Sequence, residues 1–220
     1  MHFYNRNVLL FDLDGTLTDP KEGITTCVQT ALRHCGVIVE DRDTLSPFIG
    51  PPLKDAFMRF YGFDSDQADE AVKAYRERFA TVGKFENKVY DGIEAFLQNL
   101  CDHGKCLMVA TSKPEIFAKE ILEHFDLTKY FSFIGGALLD DSRVRKEDVV
   151  SYVLRENGIS PLEAVMIGDR EHDVLGAHKN GIPCIGVLYG YGSREEFLDA
   201  QVEAIAENLH ELTDLLLGSF

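Results

Sequence analysis

A chain of 220 residues can bury one good core, or a core plus a small accessory unit. With 45% hydrophobic and 27% charged residues it reads as an ordinary soluble globular protein. Its net charge of −15 disfavours polymeric nucleic acid and anionic membranes as partners, but still permits a few local groups to capture a small phosphorylated ligand.

No apolar run approaches the roughly 20 residues a membrane helix needs. The opening Met1-His2-Phe3-Tyr4-Asn5-Arg6-Asn7 lacks the apolar core of a signal peptide. Cys27, Cys35, Cys101, Cys106 and Cys184 form an odd set without a Cys-x-x-Cys pair, and most lie in apolar surroundings. Free buried thiols and a cytoplasmic location are the expectation.

Val8 to Phe11 is a short apolar run suited to a strand buried on both faces of a parallel sheet. It leads into Asp12-Leu13-Asp14-Gly15-Thr16-Leu17, whose two aspartates alternate onto one side. Close carboxylates repel unless a cation neutralises them, which suits a hard divalent metal. A solvated Asp-Gly turn explains the same residues, and they alone do not choose.

Helical spacing then persists for about seventy residues. Ile24, Cys27, Val28, Ala31, Leu32 and Cys35 form one stripe, with Pro20 placed for the first turn and Gly36 for the stop. Leu53, Ala56, Phe57 and Phe60 form a second, and Ala68, Ala71, Val72, Tyr75 and Phe79 a third. The spacing predicts a small all-helical domain over 19–87, inserted into a core domain of 1–18 and 88–220. Phe57, Phe60 and Phe79 are expected in its core.

Beyond Val89 the pattern alternates. Asp91 and Glu94 are placed to cap a helix carrying Ile93, Phe96, Leu97 and Leu100. Cys106 to Ala110 reads as a strand, Pro114 opens a helix, and Phe131 to Ile134 is another strand. A helix with Val149, Val150, Val153 and Leu154 stops at Gly158; Ala164 to Ile167 is a strand, and the next helix stops near Gly181. Pro183 to Val187 is the last predicted strand, Ser193 with Glu196 forms a capping box, and a final helix spans 208–217. Alternation of this kind implies a doubly wound parallel α/β sheet, which binds ligands at its strands' carboxyl ends.

Chemically loaded residues fall at those ends. Thr111-Ser112-Lys113-Pro114 offers a hydroxyl, backbone N–H groups and a charge for an anion, although a plain helix cap is the commoner use of Thr or Ser before Pro. Gly168-Asp169-Arg170-Glu171-His172-Asp173 places Asp169 where Asp12 falls, with Asp173 one helical turn on. His172 is expected to face solvent in the loop, and Arg170 to pair with Asp169. Lys146 opens a helix against its macrodipole, a violation that an anion or carboxylate would relieve; with Arg143 and Arg145 it also fits a basic surface turn.

Taken in order, Asp12-x-Asp14-Gly15-Thr16-Leu17, Thr111, Lys146 and Gly168-Asp169-x-x-x-Asp173 resemble the haloacid dehalogenase superfamily across essentially the whole chain. The helical insert sits where that superfamily places a mobile cap over a Rossmann-like core. Within it the chain is similar to phosphoglycolate phosphatases and related 5′-nucleotidases, a likeness carried also by Phe48-Ile49-Gly50-Pro51-Pro52-Leu53.

The resemblance implies a Mg2+-dependent phosphatase acting on a small phosphorylated metabolite. Asp12 would be nucleophile, Asp14 acid and base, Thr111 would hydrogen-bond the transferring phosphoryl group, and Lys146 would offset charge on the phosphate and on Asp12. Asp12, Asp14 through its backbone carbonyl, and Asp169 would hold the metal, with Asp173 supporting. Gly15, Thr16, Ser112, Lys113 and Gly50 are the implied substrate-binding positions, whereas Lys54 reads as a solvated helix position. A sugar phosphomutase and a non-catalytic phosphometabolite-binding protein are the alternatives, and oligomeric state stays open.

Overall fold

The computed structural model describes residues 2–140 and 142–218. Two compact units divide the chain: Met1–Thr18 with Val89–Phe220, and Asp19–Lys88. The crossing segments, β2 (Thr18–Asp19) and β3 (Lys88–Val89), pair in a two-stranded sheet.

The larger unit is built on six strands: β1 (Val8–Phe11), β4 (Cys106–Pro114), β5 (Phe131–Ala137), β6 (Ala164–Gly168), β7 (Cys184–Val187) and β8 (Ala204–Ala206). Their order is β5-β4-β1-β6-β7-β8, with every neighbouring pair parallel. Five helices of this unit, α4 (Ile93–Asp102), α5 (Glu115–His124), α6 (Lys146–Glu156), α7 (Glu171–Lys179) and α9 (Leu209–Leu217), accompany the sheet, with the short α8 (Arg194–Asp199) after β7.

Strand alternation assigns the core faces. Leu10, Met108 and Met166 join Val149, Val150, Val153, Val174 and Ala177 of α6 and α7 in one buried cluster. Phe11 is fully buried and meets Phe96 of α4 and Phe131 of β5 edge-on, at centroid distances of 6.1 and 6.3 Å.

The smaller unit packs α1 (Lys21–His34) against α3 (Ser65–Phe79), with α2 (Leu53–Tyr61) alongside. Ile24, Val28, Ala31 and Leu32 of α1 and Ala68, Ala71, Tyr75 and Phe79 of α3 form its buried stripes. Asp64 and Gln67 close a capping box on α3, each side chain accepting from the other's N–H, at 2.9 and 3.1 Å. Arg78 grips Glu86 through two hydrogen bonds of 2.6 and 2.7 Å.

Several local expectations need correction. Asp91 does not cap α4: Gly92, at φ +86, takes the N-cap, so the helix starts one residue later than the Asp91 pattern requires. Ser193 accepts from Glu196 N–H at 3.1 Å, but the Glu196 carboxylate turns to Arg170 Nε and Glu171 N–H, leaving half a capping box. β4 runs four residues past Ala110, because β5 continues to Ala137 beside it. Phe60 is 40% exposed, on the edge of a ring cluster with Phe48 rather than inside the core. The short β8 escaped the sequence reading, since three residues carry no readable period. None of the five cysteines is in a disulfide, but only Cys27 and Cys184 are buried. Among the described residues no helix is long and apolar enough to cross a membrane.

Candidate active site

Phe11 lies in register with Val109 of β4 on one side and Ile167 of β6 on the other. The strands flanking β1 therefore come from opposite directions of winding, and a crevice opens at their carboxyl ends. Asp12 is the first residue beyond β1, its N–H donating to the Ile167 carbonyl at 2.9 Å. Asp169 follows β6, and Asp173 sits in the first turn of α7.

The chain reverses tightly after Asp14. Leu17 and Thr18 N–H groups both donate to the Leu13 carbonyl, at 2.9 and 3.0 Å. Gly15 is needed here for two reasons: its φ is +82, and a Cβ would overlap the Asp169 carboxylate. Thr16 is fully buried in the same turn.

Four carboxylates, Asp12, Asp14, Asp169 and Asp173, are buried at this edge, and two buried lysines serve them. Lys146 Nζ lies 2.8 Å from Asp12 Oδ1 and 2.7 Å from Asp173 Oδ1, and donates to the Ala110 carbonyl at 3.0 Å. Lys146 opens α6, and the two carboxylates relieve its conflict with the helix dipole. Lys113 Nζ pairs with Asp14 Oδ2 at 2.5 Å.

Two negative charges are left over, and the protonation pattern reflects it. Burial, then repulsion from Asp173 and Asp12, pushes Asp169 well above the usual carboxylate range. Asp173 is pushed up to about 6 by burial, against the pull of Lys146. Burial also raises Asp14, only partly countered by Lys113. For Lys146, burial disfavours the charge, but Asp12 and Asp173 more than offset it and hold the pKa above that of an ordinary lysine.

Oxygens of Asp12, Asp169 and Asp173 converge within 4.8 Å of one another. Asp169 Oδ1, Asp14 Oδ1 and Thr16 Oγ1 are buried with neither hydrogen-bond nor ionic partner. Hard oxygen donors, excess negative charge and orphaned carboxylate oxygens together fit a divalent cation such as Mg2+.

The remaining expected positions divide. Thr111 is buried within β4, not at a helix start; its Oγ accepts from Lys113 N–H at 3.2 Å, and α5 begins at Glu115 without a side-chain cap. Ser112, between them, is half-buried. Gly50 lies in the helical unit at φ +108, and Lys54 there is ion-paired with Asp69 at 2.7 Å.

His172 is a half-buried α7 residue rather than a solvent-facing loop residue, and burial pulls its imidazole pKa down. Arg170 pairs with Glu196 at 2.9 Å, because Asp169 is turned into the cluster. Arg143 is no plain surface arginine: it pairs with Glu115 at 2.9 Å and stacks 3.5 Å over the Tyr152 ring.

Sequence reasoning missed the segment after β7. Tyr191 N–H donates to Asp169 Oδ2 at 2.8 Å, and the Tyr189 hydroxyl donates to the Thr16 carbonyl at 3.1 Å. The signal available was Tyr189-Gly190-Tyr191-Gly192, two glycines just past a strand end.

A family model described as haloacid dehalogenase-like hydrolase matches residues 9–187. A 5′-nucleotidase of Pseudomonas aeruginosa is 49% identical over 94% of both chains. A tyrosine-protein kinase of Mycobacterium tuberculosis, PtkA, is 38% identical over 94% of this chain and 70% of its own length. A phosphoglycolate phosphatase of Colwellia psychrerythraea is 28% identical over 89% of this chain and 90% of its own. The crystal structure of a predicted phosphatase from Clostridium acetobutylicum superimposes with a TM-score of 0.95 at 50% identity, covering 97% of this chain and 99% of that one.

Proposed function

We propose, from the premise that the chain belongs to the haloacid dehalogenase-like hydrolase family and is a phosphatase, that it hydrolyses small phosphate monoesters through an aspartyl-phosphate on Asp12. The observation that carries this reading is the excess of buried carboxylate over buried lysine around Asp12, with orphaned oxygens on Asp14 and Asp169.

Asp12, Asp169 and the Asp14 backbone carbonyl would hold Mg2+, which when bound supplies charge neutralisation for the incoming anion. An Asp12 carboxylate oxygen attacks phosphorus, and the ester oxygen departs with a proton from Asp14. Burial raises the Asp14 pKa against the pull of Lys113, the direction that favours a carboxyl carrying a proton. Asp14 then takes a proton from the water that attacks phosphorus, releasing inorganic phosphate and restoring Asp12.

Lys146 holds Asp12 in place and offsets phosphoryl charge, while Asp173 anchors Lys146. The Thr111 hydroxyl, whose oxygen already accepts from Lys113 N–H, keeps its proton free for a phosphoryl oxygen. Ser112 of β4 and Gly15 and Thr16 of the turn after β1 would contact the substrate. The helical unit with Gly50 would serve as the cap that reads the leaving group.

Nucleoside 5′-monophosphates are the first substrates to try, given the 49% identical 5′-nucleotidase, and phosphoglycolate the second. Phosphate release from both should require Mg2+ and should fall at least about 1,000-fold in Asp12→Asn with the fold intact. Substantial turnover in that variant would remove Asp12 as nucleophile. Two controls run beside it: hexose-phosphate isomerisation exposes a mutase, and phosphoryl transfer from ATP to tyrosine addresses the kinase-named relative.

A further inference from the structure

The segment Tyr189-Gly190-Tyr191-Gly192, just beyond β7, lies against both acidic strand ends. A Cβ on Gly190 would overlap the Gly15 carbonyl oxygen and the Asp169 side chain, and one on Gly192 would overlap the Asp169 carbonyl. Tyr189 is braced by Tyr90, their rings 5.4 Å apart and inclined at 70°.

These contacts have two separable effects. The Tyr191 N–H occupies Asp169 Oδ2, so that Oδ1 is the oxygen left for a ligand. The Tyr189 hydroxyl fastens the same loop to the Thr16 carbonyl, in the turn that carries Asp14. The strand ends are already joined by the β1–β6 ladder, and this third segment ties Asp169 to the turn beyond β1, where the ladder no longer reaches.

The geometry points to the Tyr189–Gly192 loop as the positioning element of the divalent-cation site, setting the distance between Asp169 and the Asp12–Thr16 turn and so the cation radius accepted. This rests on the reading that the acidic cluster holds a metal. Mg2+ demands short, regular oxygen contacts, whereas Ca2+ accepts longer and more variable ones. A loosened spacing therefore penalises Mg2+ more than Ca2+.

Calorimetric titration of Mg2+ and Ca2+ into the full chain without substrate tests this in wild type, Tyr189→Phe and Asp169→Asn. Phenylalanine keeps the ring against Tyr90 and removes only the hydroxyl. The Mg2+ Kd in Tyr189→Phe should rise roughly three- to ten-fold, as for one lost hydrogen bond. The Ca2+ Kd should rise less, and Asp169→Asn should bind neither ion measurably. In turnover assays the Mg2+ activation constant should rise by the same factor, with a smaller fall in kcat at saturating Mg2+. An unchanged ratio of Mg2+ to Ca2+ affinity in Tyr189→Phe overturns the positioning role, whatever happens to Tm. A wild-type protein that binds neither ion overturns the metal site itself, a distinguishable failure.

Discussion

Lys113 Nζ and Asp14 Oδ2 form an ion pair of 2.5 Å between two buried side chains, one from the end of β4 and one from the turn after β1. Burial raises the proton affinity of Asp14, and this contact lowers it from across the sheet edge. Removing the lysine leaves Asp14 a buried carboxylate without its partner.

Burial raises the Asp14 pKa and Lys113 lowers it, so Lys113→Met moves it upward. In the proposed mechanism the second half-reaction needs ionised Asp14. The acid limb of the kcat profile should therefore shift to higher pH, with the larger loss of rate on the acid side. A pH–rate profile whose acid limb stays put would separate Asp14 ionisation from turnover.

Asp173 is pushed up to about 6 from 3.8, chiefly by burial, and Asp169 is raised too. A raised carboxylate binds more protons folded than unfolded, so stability falls as pH climbs from about 4 through about 6. Without divalent cation, urea melts should show a less stable protein at pH 7 than these groups allow at pH 5. Mg2+ at 100 times its Kd should return about 2.7 kcal/mol at pH 7. Its effect should shrink as pH drops through about 6, where protons compete for the same oxygens. Identical melts with Mg2+ and with chelator at pH 7 would contradict this.

In the helical unit, Arg78 holds the Glu86 carboxyl below its usual range through their hydrogen bonds. A lowered carboxylate contributes stability above its unfolded pKa of about 4.5 and loses it as pH falls through the folded value. Glu86→Gln should cost about 1–2 kcal/mol at pH 7. That difference should shrink as pH falls below about 4.5, as paired denaturation curves at pH 7 and at successively lower pH would reveal.

Phe11 fills the space between α4 and β5 immediately before Asp12. Phe11→Ala should destabilise the larger unit by about 3–5 kcal/mol through lost transfer and a residual cavity. Because Asp12 follows directly, kcat should fall while the protein is still folded, measurable at low temperature. A destabilised variant with full kcat would show that the strand end keeps its place without the ring.

The sequence by itself determined the α/β class, the helical insert and the placing of Asp12, Lys146 and Asp169 at strand ends or a helix start. Those features are written in local periodicity: buried strands read as short apolar runs, amphipathic helices as stripes, and charge after a buried strand stands out. Asp91 and Glu196 show the limit, since a helix start shifts by one residue, or a carboxylate finds another partner, without altering the pattern. Only the tertiary structure decided that Lys113 belongs to Asp14, that Asp173 joins Lys146 and Asp12, and that Tyr189 reaches Thr16. Lys113 and Asp14 lie 99 residues apart in sequence, and Tyr189 and Thr16 173 apart. Such pairings follow from strand order, β4 and β6 on either side of β1 with β7 next, which no local repeat encodes. The acidic pair after β1 left two readings open, and the order of the sheet brought Lys113, Lys146, Asp169 and Asp173 against it.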